Sequence, residues 1–247
     1  MTDQPIKLDP IQVLIGLHKV IDEQIAKVLA KSEEPISCKR GCNYCCYMMT
    51  AIGPAEGYLI AAEVVTWPNW DSIARRLRKS AKKCSTKLSR GEYFNKQIPC
   101  VFLNKDGDCS IYLRRPAACR CYFVASPRDD CRPSEEENHV KALNLTELEA
   151  LVWRFETDAS PNGQVPVNAP LPLMVLYSMA GLSTTADRQR FFKKLLKDVQ
   201  SPSQWVQGVV DNIDHVIGGE TTEAREAVLD SMKKFGLMPN KEEQNGS

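Results

Sequence analysis

Histidine is scarce in this chain of 247 residues: His18, His139 and His215 stand against ten cysteines. None of the three falls in a His-Glu-x-x-His or Cys-x2-Cys…His-x3-His spacing, which argues against the histidine-based zinc sites that keep a water position open for hydrolysis. An excess of charge is missing too. The 32 Lys and Arg nearly cancel 31 Asp and Glu, leaving a formal charge of +1, so no whole-chain field attracts nucleic acid or an anionic membrane. Long apolar runs are absent. No stretch approaches the roughly 18 to 20 apolar residues that cross a bilayer. The segment from Met1 to Val20 also lacks the basic start, apolar run and small-residue cleavage site of an export signal. The expectation is a cytoplasmic protein with no nucleic-acid or membrane partner, and a protein partner is compatible with it.

Cysteine is itself absent from residues 132–247, because all ten lie between Cys38 and Cys131. Thiols in a reducing compartment rarely pair as disulfides. Small buried hydrophobes would not gather in one stretch of chain. The clustering therefore points to a local demand for sulfur.

Strand signals are nearly absent, and helical periodicity dominates both ends. Asp9 to about Lys31 places Ile11, Leu14, Ile15, Ile21, Ile25, Val28 and Leu29 at helical spacing. Pro54 to Trp67 reads as a second helix with proline in its first turn. Asp71 to Leu88 reads as a third, capped by Asp71, with Ile73, Leu77, Ala81, Cys84 and Leu88 on one face. Between Gly91 and Pro133 the periodicity fades into prolines, turns and cysteines. Helices resume at about Thr146–Thr157, where Thr146 and Glu149 fit a capping box, then at Leu171–Met179, Asp187–Val199, Pro202–Ile217 and Thr222–Phe235. The expected fold is mostly α-helical around an irregular cysteine-rich metal-binding core. Residues 1–133 would form the helix and cysteine-cluster domain, 134–240 a helical region packed on it, and 241–247 a frayed tail. Ser160–Gly163 and Pro166–Pro172 are the best linker candidates.

The first cysteine group is Cys38-x3-Cys42-x2-Cys45-Cys46. On an ideal helix, Cys38, Cys42 and Cys45 fall within roughly 60° of one another; alternatively Gly41 makes a tight loop whose amides point toward sulfur. Either form suits a metal, which offsets the cost of crowding several thiolates. The second group is Cys100, Cys109, Cys119, Cys121 and Cys131. Its spacing is too wide for one local clip and requires the loops to fold back on themselves, which metal closure would stabilise. Lys39, Arg40, Arg114, Arg115 and Arg120 are interleaved with these cysteines. Each is either a balancing charge for thiolates or an ordinary solvated cation.

The combination Cys38-x3-Cys42-x2-Cys45-Cys46, Cys100-x-Phe102-Leu103, Cys109-x-Ile111-Tyr112-x2-Arg115-Pro116-x2-Cys119-Arg120 and Cys131 resembles the YkgJ-type cysteine-cluster family of zinc- or iron-chelating domains. The resemblance implies that Cys38, Cys42, Cys45, Cys46, Cys100, Cys109, Cys119 and Cys131 are the family cysteines, with Cys84 and Cys121 additional. It extends to flagellin lysine N-methylases, which carry a similar cluster. It covers a little over a third of the chain and leaves the C-terminal half without a family signal.

Sulfur ligands with little histidine suit an iron–sulfur cluster, or else structural zinc. Eight thiols exceed the four that one ion or one ordinary cluster needs, which allows two centres, or one centre plus core cysteines. Three function classes follow: a cluster-binding redox or sensor protein, a cluster-dependent protein-modifying enzyme, and a zinc-stapled interaction module. The enzyme class has two forms, one resembling the lysine N-methylases and one resembling radical S-adenosylmethionine enzymes, whose three-cysteine loop matches Cys38, Cys42 and Cys45 with Tyr44. Two features weigh against the enzyme forms. The strand–helix repeats of radical S-adenosylmethionine enzymes are not apparent, and no Gly-x-Gly-x-x-Gly marks a methyltransferase domain.

Overall fold

A computed structural model of the chain describes residues 10–39, 41–84, 88–133, 140–159 and 168–181. Within these residues the protein is mostly α-helical, with a single pair of two-residue strands. The helices expected over Asp187–Val199, Pro202–Ile217 and Thr222–Phe235, and the tail 241–247, lie outside the described residues.

Helix α1 spans Pro10–Lys31. Its buried stripe is Leu14, His18, Ile21 and Ile25, the spacing that puts side chains on one face of a 3.6-residue repeat. That stripe meets Leu59, Ala117, Cys121, Leu145 and Val152 in a small apolar cluster.

Helix α2, Pro54–Val64, and helix α3, Trp70–Lys83, build the larger core with helix α7, Leu171–Gly181. The α3 pattern is amphipathic, burying Trp70, Ile73, Ala74, Leu77 and Ala81. Helix α7 differs, because Leu171, Leu173, Met174, Val175, Leu176 and Met179 are all buried; a helix apolar all round belongs in the centre of a packed body. Gly57 lets α2 and α7 approach, since a Cβ there would stand 2.6 Å from the Met174 side chain. At about 1.5–3 kcal/mol per buried large apolar side chain, this helix trio is the chief source of hydrophobic stabilisation.

Strand β1, Ala51–Ile52, pairs antiparallel with strand β2, Ala169–Pro170. Leu171 N donates to Thr50 O at 2.9 Å. The stretch read as a linker thus runs, from Asn168 onward, into a strand and the first turn of α7.

The cysteine-rich region is less irregular than expected. Ser89 and Glu92 form a reciprocal capping box that starts helix α4, Arg90–Asn95. A turn follows, in which Asn104 Oδ1 accepts from Asp106 N at 2.9 Å and Asp108 N at 2.8 Å. Gly107 takes φ +86 there, where a side chain would be strained. Helix α5 is one turn, Ala117–Arg120, and helix α6 spans Thr146–Ala159.

Four local expectations are corrected. Helix α2 ends at Val64, short of Trp67, because Thr66, Trp67 and Trp70 close successive turns through Thr66 N to Glu63 O, Trp67 N to Val64 O and Trp70 N to Trp67 O. Asp71 does not cap α3: the helix begins at Trp70 after Asn69. The same helix stops at Lys83, ahead of the expected Leu88, with Cys84 as its C-terminal flank. Thr146 and Glu149 make no capping box either, because the Thr146 hydroxyl donates to Asn144 Oδ1 at 2.8 Å, and Leu148 and Glu149 donate from their amides to Leu145 O.

Candidate metal centre

The first cysteine group is a loop and not a helix. Gly41 has φ +79, and Cys42 N donates to Lys39 O at 2.9 Å to close the turn. A short 3-10 turn then carries Tyr44–Tyr47. Cys38 enters as extended chain beside Val124: Ser37 N donates to Val124 O at 2.9 Å, and Val124 N donates to Cys38 Sγ at 3.3 Å. An amide aimed at sulfur favours thiolate.

The distant cysteines are brought to this loop by named contacts. Cys100 N donates to Cys46 O at 2.6 Å. A bridge pairs Leu103 with Cys109 across the Asn104 turn. Cys119, on α5, lies 3.9 Å from the Thr50 hydroxyl. The Cys131 turn is clamped on Tyr44, whose ring faces the guanidinium groups of Arg128 and Arg132 at 5.2 and 5.8 Å. The Tyr44 hydroxyl accepts from Arg132 Nε at 2.7 Å, and Arg128 Nη2 donates to Gly41 O at 3.4 Å.

The result is a cavity of about 1070 Å³ whose wall carries Cys42, Cys45, Cys46, Cys100, Cys109 and Cys119. Cys38 and Cys131 stand outside that wall, on the loop and turn just described. The two cysteines read as additional separate here. Cys84 is buried, reaches the cavity wall and donates to the Tyr93 hydroxyl at 4.0 Å, while Cys121 packs in the apolar cluster against α1. At the mouth, Met48, Tyr112 and Leu113 are exposed.

Electrostatics in the cavity is divided. Burial raises the Cys38 and Cys109 thiols, and pushes Cys100 up to about 12 and Cys131 up to about 11. Cys119 is raised by the same cause. Cys45 alone moves the other way, down to about 7, chiefly because Cys46 donates a hydrogen bond to it; that bond keeps Cys46 protonated. The Arg115 guanidinium lowers Cys38, Cys45 and Cys109. Its Nε–H is buried and has no hydrogen-bond partner among the described residues, and its plane lies 4.2 Å over the Tyr112 ring.

The other interleaved cations have separate duties. Arg114 pairs with Glu63 at 3.6 Å. Arg120 is buried, paired with Asp22, and donates to Leu113 O and Arg115 O. It braces the loop from behind, and the sulfur its charge acts on is that of Cys121, in the apolar cluster. Lys39 is exposed at the cavity edge, and Arg40 lies outside the described residues.

As the side chains stand, no three His, Cys, Asp or Glu among the described residues converge to hold a metal ion. The donors nonetheless fit a metal in kind. They are free thiols, six of the eight around one cavity, and an ion that binds them displaces their protons. The buried, unpartnered Arg115 Nε–H would find its acceptor in a ligated sulfur.

Sequence reasoning did not find Glu56 and Glu156. Both are buried under the cavity's supporting helices. Glu156 Oε1 accepts from Ala55 N at 2.8 Å and Glu56 N at 3.4 Å, satisfying the start of α2 from α6. Glu56 Oε1 accepts from Ala117 N at 2.6 Å and contacts His18 Nε2 at 3.0 Å, tying α5 and α1 to α2. The available signal was, for Glu56, a carboxylate inside a largely apolar helical stretch; Glu156 sits in a mixed, charged stretch that offers none.

No curated protein matches the chain, and no solved structure does. A family model matches residues 37–144, a span that holds all ten cysteines and is under half of the chain. The matched family is CxxCxxCC, described as "Putative zinc- or iron-chelating domain".

Proposed function

We propose that this protein holds an iron–sulfur cluster through its clustered cysteines and serves a redox or sensing role. The observation that carries this reading is the cavity wall, which six of the eight family cysteines line from four separate pieces of chain, beside the Arg115 guanidinium whose Nε–H is buried and unpartnered. Cys38, Cys42, Cys45, Cys46, Cys100, Cys109, Cys119 and Cys131 are the proposed ligands. When bound, a cluster would supply electron transfer at a potential set by its charge and burial. The chain's own residues supply soft donors, a balancing cation and partial exclusion of water.

Zinc in the same cysteines is the competing metal and would make the domain a stapled interaction module. Anaerobic isolation followed by elemental analysis and an absorption spectrum decides between them. The expected result is a brown protein with broad absorption near about 400 nm and near-integral iron. A colourless protein with near-integral zinc overturns the cluster in favour of the staple, and neither metal overturns both.

A second reading, a cluster-dependent protein-modifying enzyme of the lysine N-methylase or radical S-adenosylmethionine kind, is favoured by the cavity's size. About 1070 Å³ exceeds what sulfur ligands and an ion fill, and is as large as the roomiest small-molecule sites. Binding of S-adenosylmethionine by the loaded protein, measured by calorimetry, would support it.

A further inference from the structure

We propose that the cysteines form two metal centres that part at the Cys45–Cys46 peptide: an outer one of Cys38, Cys42, Cys45 and Cys131, and an inner one of Cys46, Cys100, Cys109 and Cys119. The inference rests on the metal-binding reading above and assigns its ligands.

Cys45 and Cys46 both lie in the Tyr44–Tyr47 turn, where the Cys46 thiol donates to the Cys45 sulfur. The backbone contacts on the two sides of that pair lead to different cysteines. On the Cys46 side, the Cys46 carbonyl binds the Cys100 amide at 2.6 Å, the Leu103–Cys109 bridge returns Cys109 toward Cys100, and Thr50 sits 3.9 Å from Cys119. All four of these cysteines line the cavity.

On the other side, Arg128 reaches Gly41 O, next to Cys42, and Arg132 reaches the Tyr44 hydroxyl, next to Cys45. Those contacts set the Cys131 turn against the Cys42–Cys45 segment. Cys38 and Cys131 are the two family cysteines absent from the cavity wall. Four sulfurs on each side match the number that one zinc ion or one ordinary cluster takes.

Cys45 lines the cavity with the inner four, and its outer assignment follows from its place three residues after Cys42. Cys46 is committed to the inner side by its own carbonyl's bond to Cys100.

The test uses the full-length protein, purified without oxygen, together with C119S and C131S. Metal content is measured by elemental analysis, and the cysteines open to iodoacetamide are mapped by mass spectrometry. Each variant should keep about half of the wild-type metal. In C131S, Cys100, Cys109 and Cys119 should stay protected while Cys38 becomes alkylated; in C119S the pattern should reverse. Helical circular dichroism confirms that each variant is folded.

Partial chelation of wild-type protein gives the same map without a substitution. Cys38 and Cys131 should become reactive as one set, and Cys100, Cys109 and Cys119 as another. Loss of all metal from a folded single variant, or both sets opening together under chelation, overturns the two-centre assignment and leaves metal binding intact. Wild-type protein without metal overturns both.

Discussion

Arg115 is the cation whose position favours thiolate, since its charge acts on Cys38, Cys45 and Cys109 while its Nε–H stays unpartnered. Arg115→Gln should therefore weaken metal retention in competition with a chelator by about five- to tenfold, a loss of order 1 kcal/mol. Unchanged retention would remove Arg115 from the site. Cys84 provides the contrast. Its thiol is buried and pushed up to about 11 by that burial, so Cys84→Ala should cost about 1 kcal/mol as a small core truncation and leave metal content unaltered. A metal loss equal to that of Cys42→Ala would place Cys84 among the ligands.

Glu156 yields a pH prediction of definite sign. Its carboxyl is raised from 4.5 to about 7, first by burial. A carboxyl raised on folding keeps its proton longer in the native state, so that state binds more protons between the unfolded and folded values. Stability should fall as pH rises from about 4.5 to about 7, by order 1–3 kcal/mol from this group. Glu156→Gln keeps an acceptor for Ala55 N and should abolish that slope, as read by urea unfolding across the pH range. A slope that persists in the variant would assign it elsewhere.

Among the elements, Gly53 is the most constrained. A Cβ there would lie 1.7 Å from Glu156 Oε2, so Gly53→Ala must expel the carboxylate that satisfies the first amides of α2. The expected cost is about 2 kcal/mol in chemical unfolding; a change within about 0.5 kcal/mol would mean that the cap is dispensable. The helices themselves were legible where an apolar stripe repeats, as in Leu14, Ile21 and Ile25 or in Ile73, Leu77 and Ala81. Their ends were not, and two capping boxes explain why. Ser89-x-x-Glu92 forms one and Thr146-x-x-Glu149 does not. The spacing is the same, but Asn144 captures the Thr146 hydroxyl, and such competition from a neighbour is invisible to a four-residue signature. At the site, the sequence showed that cysteines gather but not how the loops return them to one another. The Cys131 turn is returned by Tyr44 holding Arg128 and Arg132, a contact across the whole cysteine region.

In the whole molecule, packing is unevenly shared. The helix trio α2, α3 and α7 has its own apolar core, whereas the loops from residue 96 to 133 contain only short turns and the single turn of α5. Removing the metal should therefore release the loops first. Amide hydrogen exchange after chelation should speed up over residues 100–131 while α2, α3 and α7 stay protected. Uniform loss of protection across the trio would mean that the metal holds up the entire fold.

The exposed trio Met48, Tyr112 and Leu113 at the cavity mouth sets how the protein ages. An opening to bulk solvent admits dioxygen and peroxide as readily as water, and sulfur at the end of such a path is oxidised in order of its thiolate character. Cys45, down at about 7, would be first. The working lifetime of this protein in air is thus written at its rim, in how well two apolar side chains and one phenol ring keep small oxidants from reaching one acidic thiol.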